Sequence, residues 1–179
     1  ADIHRDVPGR GDDIDYACRV VMEYCKVANI DVVVILGDLF HNRETLDVDT
    51  LHRAADFHEE AARNDQRWIV FPGNHDMFLR HSWMINSVAP MRKYLTYIND
   101  VKLLEIDNQR FWVLPFVTLE RSFMRTLRRV EERYEDGDIL LTHIGVRGAS
   151  LNTCFLLKDW SIVTFEHSKF KRIYTGHFH

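Results

Sequence analysis

The chain has 179 residues, of which 46% are hydrophobic, and its formal net charge is −4. This length suits one domain, and the apolar content is enough for a complete core, so the composition excludes a disordered or low-complexity chain. The longest apolar runs, such as residues 32–36, are far shorter than the roughly 20 residues that cross a bilayer, so we expect no membrane partner. The negative charge is unusual for a nucleic-acid-binding protein, although bound divalent cations would offset it.

Three cysteines make an odd count, and no CxxC pair occurs. Cys18 and Cys25 lie on one predicted helix, so we interpret them, like Cys154, as reduced thiols, with the first two buried. Such cysteine usage predicts a reducing, cytoplasmic location.

Predicted helices and strands alternate along the chain. Apolar residues spaced three to four apart predict a helix over residues 14–28, and the β-branched run 32–36 predicts a buried parallel strand. The further predicted elements are, in order, helix 47–63, strand 68–71, a short helix 82–88, strands 101–106 and 111–115, helix 119–135, and strands 139–141 and 172–174. This pattern predicts one α/β domain over residues 1–179, and two stacked sheets with flanking helices fit it.

Five short polar motifs accompany these elements. They are Asp2-Ile3-His4, Gly37-Asp38-Leu39-Phe40-His41, Gly73-Asn74-His75-Asp76, the single His143, and Gly176-His177-Phe178-His179. In four of them a polar residue follows the carboxyl end of a predicted strand, where ligands gather in open α/β sheets. We therefore expect side chains that are far apart in the sequence to meet at one rim.

The residue types in these motifs predict a site for two divalent metal ions. Carboxylates, an amide oxygen and imidazoles favour Mn²⁺, Mg²⁺, Fe²⁺ or Zn²⁺, and no cysteine joins the set. Two ions about 3.5–4 Å apart need a bridging ligand, and a carboxylate can offer one oxygen to each. Asp38 is the candidate bridge, because it lies centrally, between a glycine and the next helix.

The order DxH, GD, GNH[DE], a lone His and GHxH resembles the calcineurin-like metallophosphoesterases, and the resemblance covers essentially the whole chain. It implies a four-layer α/β/β/α sandwich. Within that superfamily, motifs 37–41 and 176–179 are similar to those of DNA double-strand-break repair nucleases, namely SbcD-type exonuclease subunits and their phage recombination counterparts. His143-Ile144-Gly145 with Gly148 is phage-like as well, but the assignment to this branch depends mainly on His41.

The resemblance also implies a role for each motif residue. One ion would be held by Asp2, His4, Asp38 and His179, and the other by Asp38, Asn74, His143 and His177. A hydroxide between the ions, with Mn²⁺ the first choice of metal, would attack the phosphodiester. His75 would stabilise the charge or protonate the leaving oxygen, Asp76 would orient His75 by accepting its other N–H, and His41 would meet the substrate phosphate or sugar.

The implied function is that of a Mn²⁺-dependent exonuclease or endonuclease subunit, a hydrolase in DNA recombination and double-strand-break repair. Its substrate would be double-stranded DNA ends, and its partners an SMC-like ATPase subunit and a second copy of the chain, in the cytoplasm of a bacterium or phage-infected cell. We expect the domain to be a fragment, lacking the first strand and everything after the GHxH motif, including the capping and ATPase-binding regions.

Two other functions stay open. The first is a phosphatase or phosphodiesterase that acts on a small molecule or a protein. Its protein Ser/Thr phosphatase branch is disfavoured, because residues 40–43 replace the GDxxDRG continuation and Asp76 stands where Glu is usual. The second is a non-catalytic scaffold that retains the fold. Such relatives usually lose the GNH histidine or a ligand, and this chain has lost neither.

Arg5 and Asp6 depart from the nuclease pattern, in which a small apolar residue and then glycine follow the DxH motif. This departure leaves the shape of the substrate entrance open. The histidines outside the motifs are interpreted as polar helix-face or loop residues: His52, His58, His81 and His167. Four aromatic residues are interpreted as core rather than as base-stacking platforms: Phe40, Phe71, Trp83 and Trp112.

The helix predicted over residues 119–135 is rich in arginine. Its basic residues are Arg121, Arg125, Arg128, Arg129 and Arg133. Several share one face, but Glu131, Glu132 and Glu135 dilute it. A solvated helix with internal ion pairs is therefore favoured over a DNA-binding surface.

Overall fold

The computed structural model describes residues 2–79, 82–147, 150–151, 155–156 and 162–177. The helices in these ranges are α1 (Gly11–Val27), α2 (Val48–Arg63), α3 (Glu120–Glu131) and a 3₁₀ helix at Ala89–Lys93. The strands are β1 (Val32–Ile35), β2 (Arg67–Val70), β3 (Met77–Leu79), β4 (Ser82–Asn86), β5 (Thr96–Tyr97), β6 (Lys102–Ile106), β7 (Gln109–Leu114), β8 (Ile139–His143), β9 (Gly145–Val146), β10 (Ser150–Leu151), β11 (Phe155–Leu156), β12 (Ile162–Val163) and β13 (Arg172–Gly176).

Two sheets form the centre of the fold. One has the order β1-β2-β5 and is parallel throughout, and the other has the order β13-β8-β7-β6, with β6 antiparallel to β7. The apolar cluster between the sheets contains Ile69, Phe71, Val113, Ile139 and Leu141. Burying both faces of parallel strands explains why their sequences are continuous apolar runs.

Helices cover the outer faces of both sheets. α1 and α2 pack on the first sheet through a cluster that includes Met22, Phe57 and Trp68. α3 packs on the second sheet, where Phe123 and Leu127 join Trp112 and Leu140 in one cluster. The predicted α/β/β/α layering is therefore confirmed.

The hairpin between β6 and β7 is set by its two-residue turn. Asp107 and Asn108 have φ of 50° and 61°, as a type I′ turn requires, and this turn matches the twist of antiparallel strands. Asn and Asp reach this left-handed region more easily than other non-glycine residues. Both strands predicted from the sequence here are confirmed.

The short helix predicted over residues 82–88 is wrong. β4 occupies this stretch and pairs with β3, with Met77 opposite Asn86 and Leu79 opposite Ser82. Trp83 stabilises the arrangement by donating its indole N–H to the carbonyl of Phe116, 2.7 Å away. The tertiary contact overrides a weak local helical signal, and the helical turn begins only at the 3₁₀ helix, which has proline in its first turn.

The expected core residues are largely in place. Phe40, Phe71 and Trp112 are buried, and Trp83 packs partly buried against a core cluster. Cys18 and Cys25 are buried free thiols, as predicted. Cys154 lies outside the described residues. Within those residues, no helix combines the length and the apolar content that a bilayer span requires.

The surface prediction for His58 is wrong. The side chain is 0% exposed and packs against the rings of Phe57 and Trp68, whose centroids are 5.2 and 5.7 Å from its own. Burial, assisted by the positive charge of Arg5, lowers its pKa to about 3. His52 and His167 are exposed as expected, and His81 lies outside the described residues.

We predict that neutral His58 makes stability sensitive to acid. Its pKa is lower in the folded chain than in the unfolded chain, so below about pH 6.5 the unfolded chain takes up the proton first. The stabilisation is complete above that pH and is lost progressively as the pH falls towards 3. In urea unfolding, His58→Leu should reduce the loss of stability between pH 7 and pH 5 by roughly 2 kcal/mol.

His167→Gln is the matched control, since that side chain is exposed and the substitution should leave the pH dependence as it is. An unchanged pH dependence in His58→Leu would contradict the prediction.

Candidate metal centre

The carboxyl ends of four strands bring the polar motifs to one rim. Asp38 follows β1, Asn74 follows β2, His143 ends β8, and His177 follows β13. β8 and β13 are parallel neighbours, with His143 opposite Gly176. The chain around residues 2–4 joins the same rim through backbone hydrogen bonds to Asp38. The convergence predicted from the sequence is therefore present in the structure.

Asp38 lies at the crossing point of three motif loops. Its carbonyl accepts the N–H groups of Ile3 and His4, each at 3.0 Å. The backbone is left-handed at Gly37, Asp38 and His4, with φ of 93°, 50° and 51°. Non-glycine residues in this region are strained and persist where surrounding contacts hold them, often at functional sites.

Two glycines allow the loops to touch. A β-carbon on Gly37 would lie 2.8 Å from the α-carbon of Gly73, and one on Gly73 would lie 2.5 Å from the backbone nitrogen of Asp38. Neither distance is sterically possible for a real side chain. The glycines of the GD and GNH motifs are therefore required by the close approach of the two loops.

Four donor atoms converge in one ligand group. Asn74 Oδ1 lies 2.9 Å from His143 Nε2 and 2.7 Å from His177 Nδ1, and Asp38 Oδ2 lies 3.3 Å from His143 Nε2. These are the side chains that the resemblance assigns to the second ion. Imidazole, amide and carboxylate donors this close together suit a divalent cation.

The tautomer of His143 suits metal binding. Its Nδ1 lies 2.6 Å from the carbonyl of Leu36. A carbonyl only accepts, so Nδ1 carries the proton and Nε2 presents its lone pair to the ligand group. Burial alone would lower the pKa of His143, yet the neighbouring carboxylates of Asp38 and Asp2 raise it. Carboxylates that attract a proton here attract a metal cation in the same way.

A second ligand group shares Asp38 with the first. The candidate ligand atoms of Asp2, His4 and Asp38 lie within 4.8 Å of one another, and His4 Nε2 is 3.6 Å from Asp38 Oδ2. Asp38 Oδ2 is buried and has no hydrogen-bond partner among the described residues, as expected of a carboxylate oxygen kept for a cation. His179, the fourth expected ligand, lies outside the described residues. The residues present fit two ions with a shared aspartate.

The predicted catalytic histidines lie beside these ligands. The backbone N–H of His75 donates to Asp38 Oδ1 at 2.8 Å, and His75 Nδ1 donates to the carbonyl of His41 at 2.7 Å. The two imidazole rings stack at 5.0 Å, and His41 Nδ1 is 3.2 Å from His4 Nδ1. The hydrogen bond at Nδ1 therefore fixes the ring of His75, and the ring of His41 is held against it.

The expected role of Asp76 is wrong in one respect, because its carboxylate does not orient the ring of His75. It accepts the backbone N–H groups of Leu39, Phe40 and Gly73 at 3.2, 3.0 and 2.9 Å, and its Oδ1 accepts from the Ser87 hydroxyl at 3.1 Å. Burial raises the pKa of Asp76 to about 7, with the charge of Asp38 adding to the shift and the N–H donors opposing it. Asp76 therefore links the GD loop to the GNH loop.

Asp6 fixes the loop that carries His41, a contact that reasoning from the sequence missed. Its carboxylate accepts the backbone N–H groups of His41 and Asn42, the latter at 2.9 Å. The preceding Arg5 is 4% exposed, donates to Asp15 at 2.6 Å and lies over the ring of Phe57. Both residues depart from the nuclease pattern. That departure is the signal in the sequence that the loop after the DxH motif makes contacts of its own.

An α/β/β/α sandwich with carboxylate, amide and imidazole donors around one shared aspartate defines the metallophosphoesterase class. A profile of the calcineurin-like phosphoesterases matches residues 1–179, and the chain belongs to that family.

Two viral proteins are similar to the chain. One is a protein from Invertebrate iridescent virus 6, provisionally named phosphoesterase 244L. It is 25% identical to this chain over 159 residues. The other, from Invertebrate iridescent virus 3, is provisionally named phosphoesterase 078R and is 29% identical over 109 residues. The alignments cover 85% and 58% of this chain, but only 54% and 31% of these relatives.

A solved structure is also similar, although distantly. It is the protein of unknown function AQ665 from Aquifex aeolicus, with 15% identity, a TM-score of 0.45, and coverage of 82% of this chain and 73% of the other.

We predict that Asp76→Asn weakens metal binding, because an amide NH₂ cannot accept the N–H groups that hold the Asp38 and Asn74 loops together. Titration calorimetry with Mn²⁺ should show affinity lowered about 10–100-fold, the usual effect of losing a group that supports metal ligands. Asp56→Asn, an exposed change on α2, is the control. Unchanged affinity with a reduced turnover rate would instead assign Asp76 to the proton transfer.

Proposed function

We propose that the chain is the catalytic domain of a metal-dependent DNA nuclease, acting on double-stranded ends with Mn²⁺ as the first choice of metal. The observation that carries this proposal is the ring of His41, which is stacked on His75 beside ligand groups that share Asp38. Metal-dependent phosphoester hydrolysis follows from the family and the donor set. The choice of DNA as the substrate depends on His41 and on the motif resemblance.

Two divalent ions in these ligand groups would supply an activated water and would neutralise charge on the phosphate. The chain itself supplies position and a proton. Since His75 Nδ1 already donates to the carbonyl of His41, a second proton on Nε2 is the one available to the leaving oxygen. Asp38 fixes His75 through its backbone N–H, which couples the ring position to the ligand carboxylate.

His41 favours a phosphodiester with a bulky leaving group over a small phosphate ester. Its ring bridges His75 and His4, so a substrate that reaches the leaving-group position also passes His41. A sugar or a neighbouring phosphate would give this imidazole a partner, as nucleic acid offers on both sides of the scissile bond. The proposed SMC-like ATPase partner and a dimer are supported by the motif resemblance alone.

A small-molecule phosphodiesterase is the second candidate, because every other part of the site would serve it equally well. A non-catalytic scaffold is disfavoured, since His75 and the described ligands are present and clustered.

We predict that the full-length protein shortens end-labelled linear duplex DNA in Mn²⁺. His75→Ala should retain metal and lose about 10²–10⁴-fold in rate, the usual contribution of general acid catalysis. Asp38→Asn should lose metal and activity together, because both ligand groups share that carboxylate. Gel analysis of the products and metal analysis of the purified variants provide the measurements.

His52→Ala, an exposed histidine on α2, is the matched control and should behave like the unmutated protein. Intact DNA together with rapid hydrolysis of bis-p-nitrophenyl phosphate would reject the nuclease and retain the phosphodiesterase. Loss of metal from His75→Ala would show that His75 is a ligand rather than the proton donor.

A further inference from the structure

Helix α3 presents four exposed arginines that form no ion pair with any described residue: Arg121, Arg125, Arg128 and Arg129. The internal ion pairs expected from the sequence are absent from the described part of this helix. The carboxylate of Glu131 instead accepts hydrogen bonds from the Ser168 hydroxyl and from the backbone N–H of Lys169. Glu120 forms an ion pair with Arg147 at 3.7 Å.

Most arginines elsewhere in the described chain form ion pairs with carboxylates. Those that do are Arg5, Arg10, Arg19, Arg53, Arg63, Arg110 and Arg147. Arg53 is the extreme case, with Asp12, Asp15 and Asp49 around it. Arg43, Arg67, Arg92, Arg133 and Arg172 also lack an ion pair with a described residue, but they are scattered along the chain. Four such arginines within nine residues are a local feature of α3.

The geometry of α3 places three of these arginines in a line. Arg121, Arg125 and Arg128 are spaced four and three residues apart, which aligns them on one side of the helix. Phe123 and Leu127 occupy the opposite, buried side. At 1.5 Å rise per residue, the row is roughly 10 Å long. Like charges at this spacing destabilise a helix, and a polyanion would relieve that repulsion.

The amino end of α3 lies close to the candidate metal centre. Phe116, just before the helix, has its ring 5.9 Å from that of His143 and 5.7 Å from that of His177. Arg147, four residues beyond His143, forms the ion pair with Glu120 in the first turn. The row of arginines therefore begins next to the ligand loops and runs away from them along the outer layer.

We propose that the arginine face of α3 (Arg121, Arg125 and Arg128, with Arg129 at its edge) binds the phosphate backbone of duplex DNA whose end lies at the metal centre. The inference rests on the proposed nuclease function and extends it to the substrate beyond the scissile bond. Duplex DNA carries one negative charge per about 1.7 Å of axis, so a row of this length meets several phosphates. Guanidinium groups donate to such oxygens in pairs, and free ones lose no internal partner on binding.

The test is the salt dependence of duplex binding. Anisotropy of a labelled blunt duplex is followed over a range of KCl concentrations with the full-length protein, in a His75→Ala background that prevents cleavage. Arg121→Gln/Arg125→Gln should weaken binding and make the slope of log K against log salt shallower by about 2, roughly one for each phosphate contact. Glutamine keeps helix propensity close to that of arginine, so the helix itself is preserved.

The matched control is Arg19→Gln/Arg63→Gln, which removes the same charge from exposed helical sites whose arginines already face Glu60 and Glu59. Its slope should equal that of the parent. Equal slopes for both double variants and the parent would overturn the inference, as would a parent that binds no duplex.

Failure of the inference can be separated from failure of the proposed function. With His75 left unmutated, both double variants should hydrolyse bis-p-nitrophenyl phosphate at the parent rate, since neither touches the ligand groups. DNA cleaved by the parent, but bound with an unaltered slope by the α3 variant, would overturn the inference and leave the nuclease standing. Parent protein that hydrolyses the small diester but neither cleaves nor binds duplex would overturn both.

Discussion

Aspartates hold the metal centre together by accepting backbone N–H groups from other motifs. Asp2 accepts from His177, Asp38 from His75, and Asp76 from Leu39 and its neighbour in the GD loop. Each of these bonds spans at least 36 positions in the sequence, so none arises from local structure. Charged acceptors form stronger hydrogen bonds than neutral ones, which helps to keep strained loop conformations in place.

This arrangement makes ligand geometry and catalytic geometry interdependent. Asp38 uses Oδ1 for the backbone of His75 and keeps Oδ2 for the ligand groups. A shift of Asp38 would therefore move His75, the proposed proton donor, together with the candidate cation-binding atoms. Asp76 reinforces the same junction by accepting backbone N–H groups from both loops, which is the contact expected of a positioning residue.

Much of this structure could be predicted from the sequence, because its main signals are local. β-branched runs that end in glycine predict parallel strands, and the motifs at their ends predict a shared rim, as Asp38 and Asn74 show. The partners of buried polar groups could not be predicted in the same way. His58 reads as a helix-face histidine until Trp68 and Arg5 are placed against it, and Asp76 reads as a partner of His75 until the loops are seen to cross.

The errors over residues 82–88 and α3 have a common cause. In both stretches the local pattern is compatible with several partners, and a tertiary contact decides between them. β4 pairs with β3 instead of forming a helix, and the carboxylate of Glu131 accepts from Ser168 instead of pairing with an arginine of α3. An i,i+4 pair is worth only a few tenths of a kcal/mol, so a competing hydrogen bond readily removes the acid from it. Internal pairing in an exposed helix is therefore a weak expectation wherever another segment packs beside it.

The net charge of −4 conceals a division of roles among charged residues. Asp2, Asp38 and Asp76 are buried or nearly so, where they accept backbone donors or face the ligand groups. Cations bound there would cancel part of that charge at the rim that meets substrate. The arginines of α3 stay solvated on the outer layer and form no ion pair with a described residue, so the positive charge accessible to a polyanion is larger than the sum over the chain implies. The distribution of paired and unpaired charge, rather than its total, is what bears on the class of substrate.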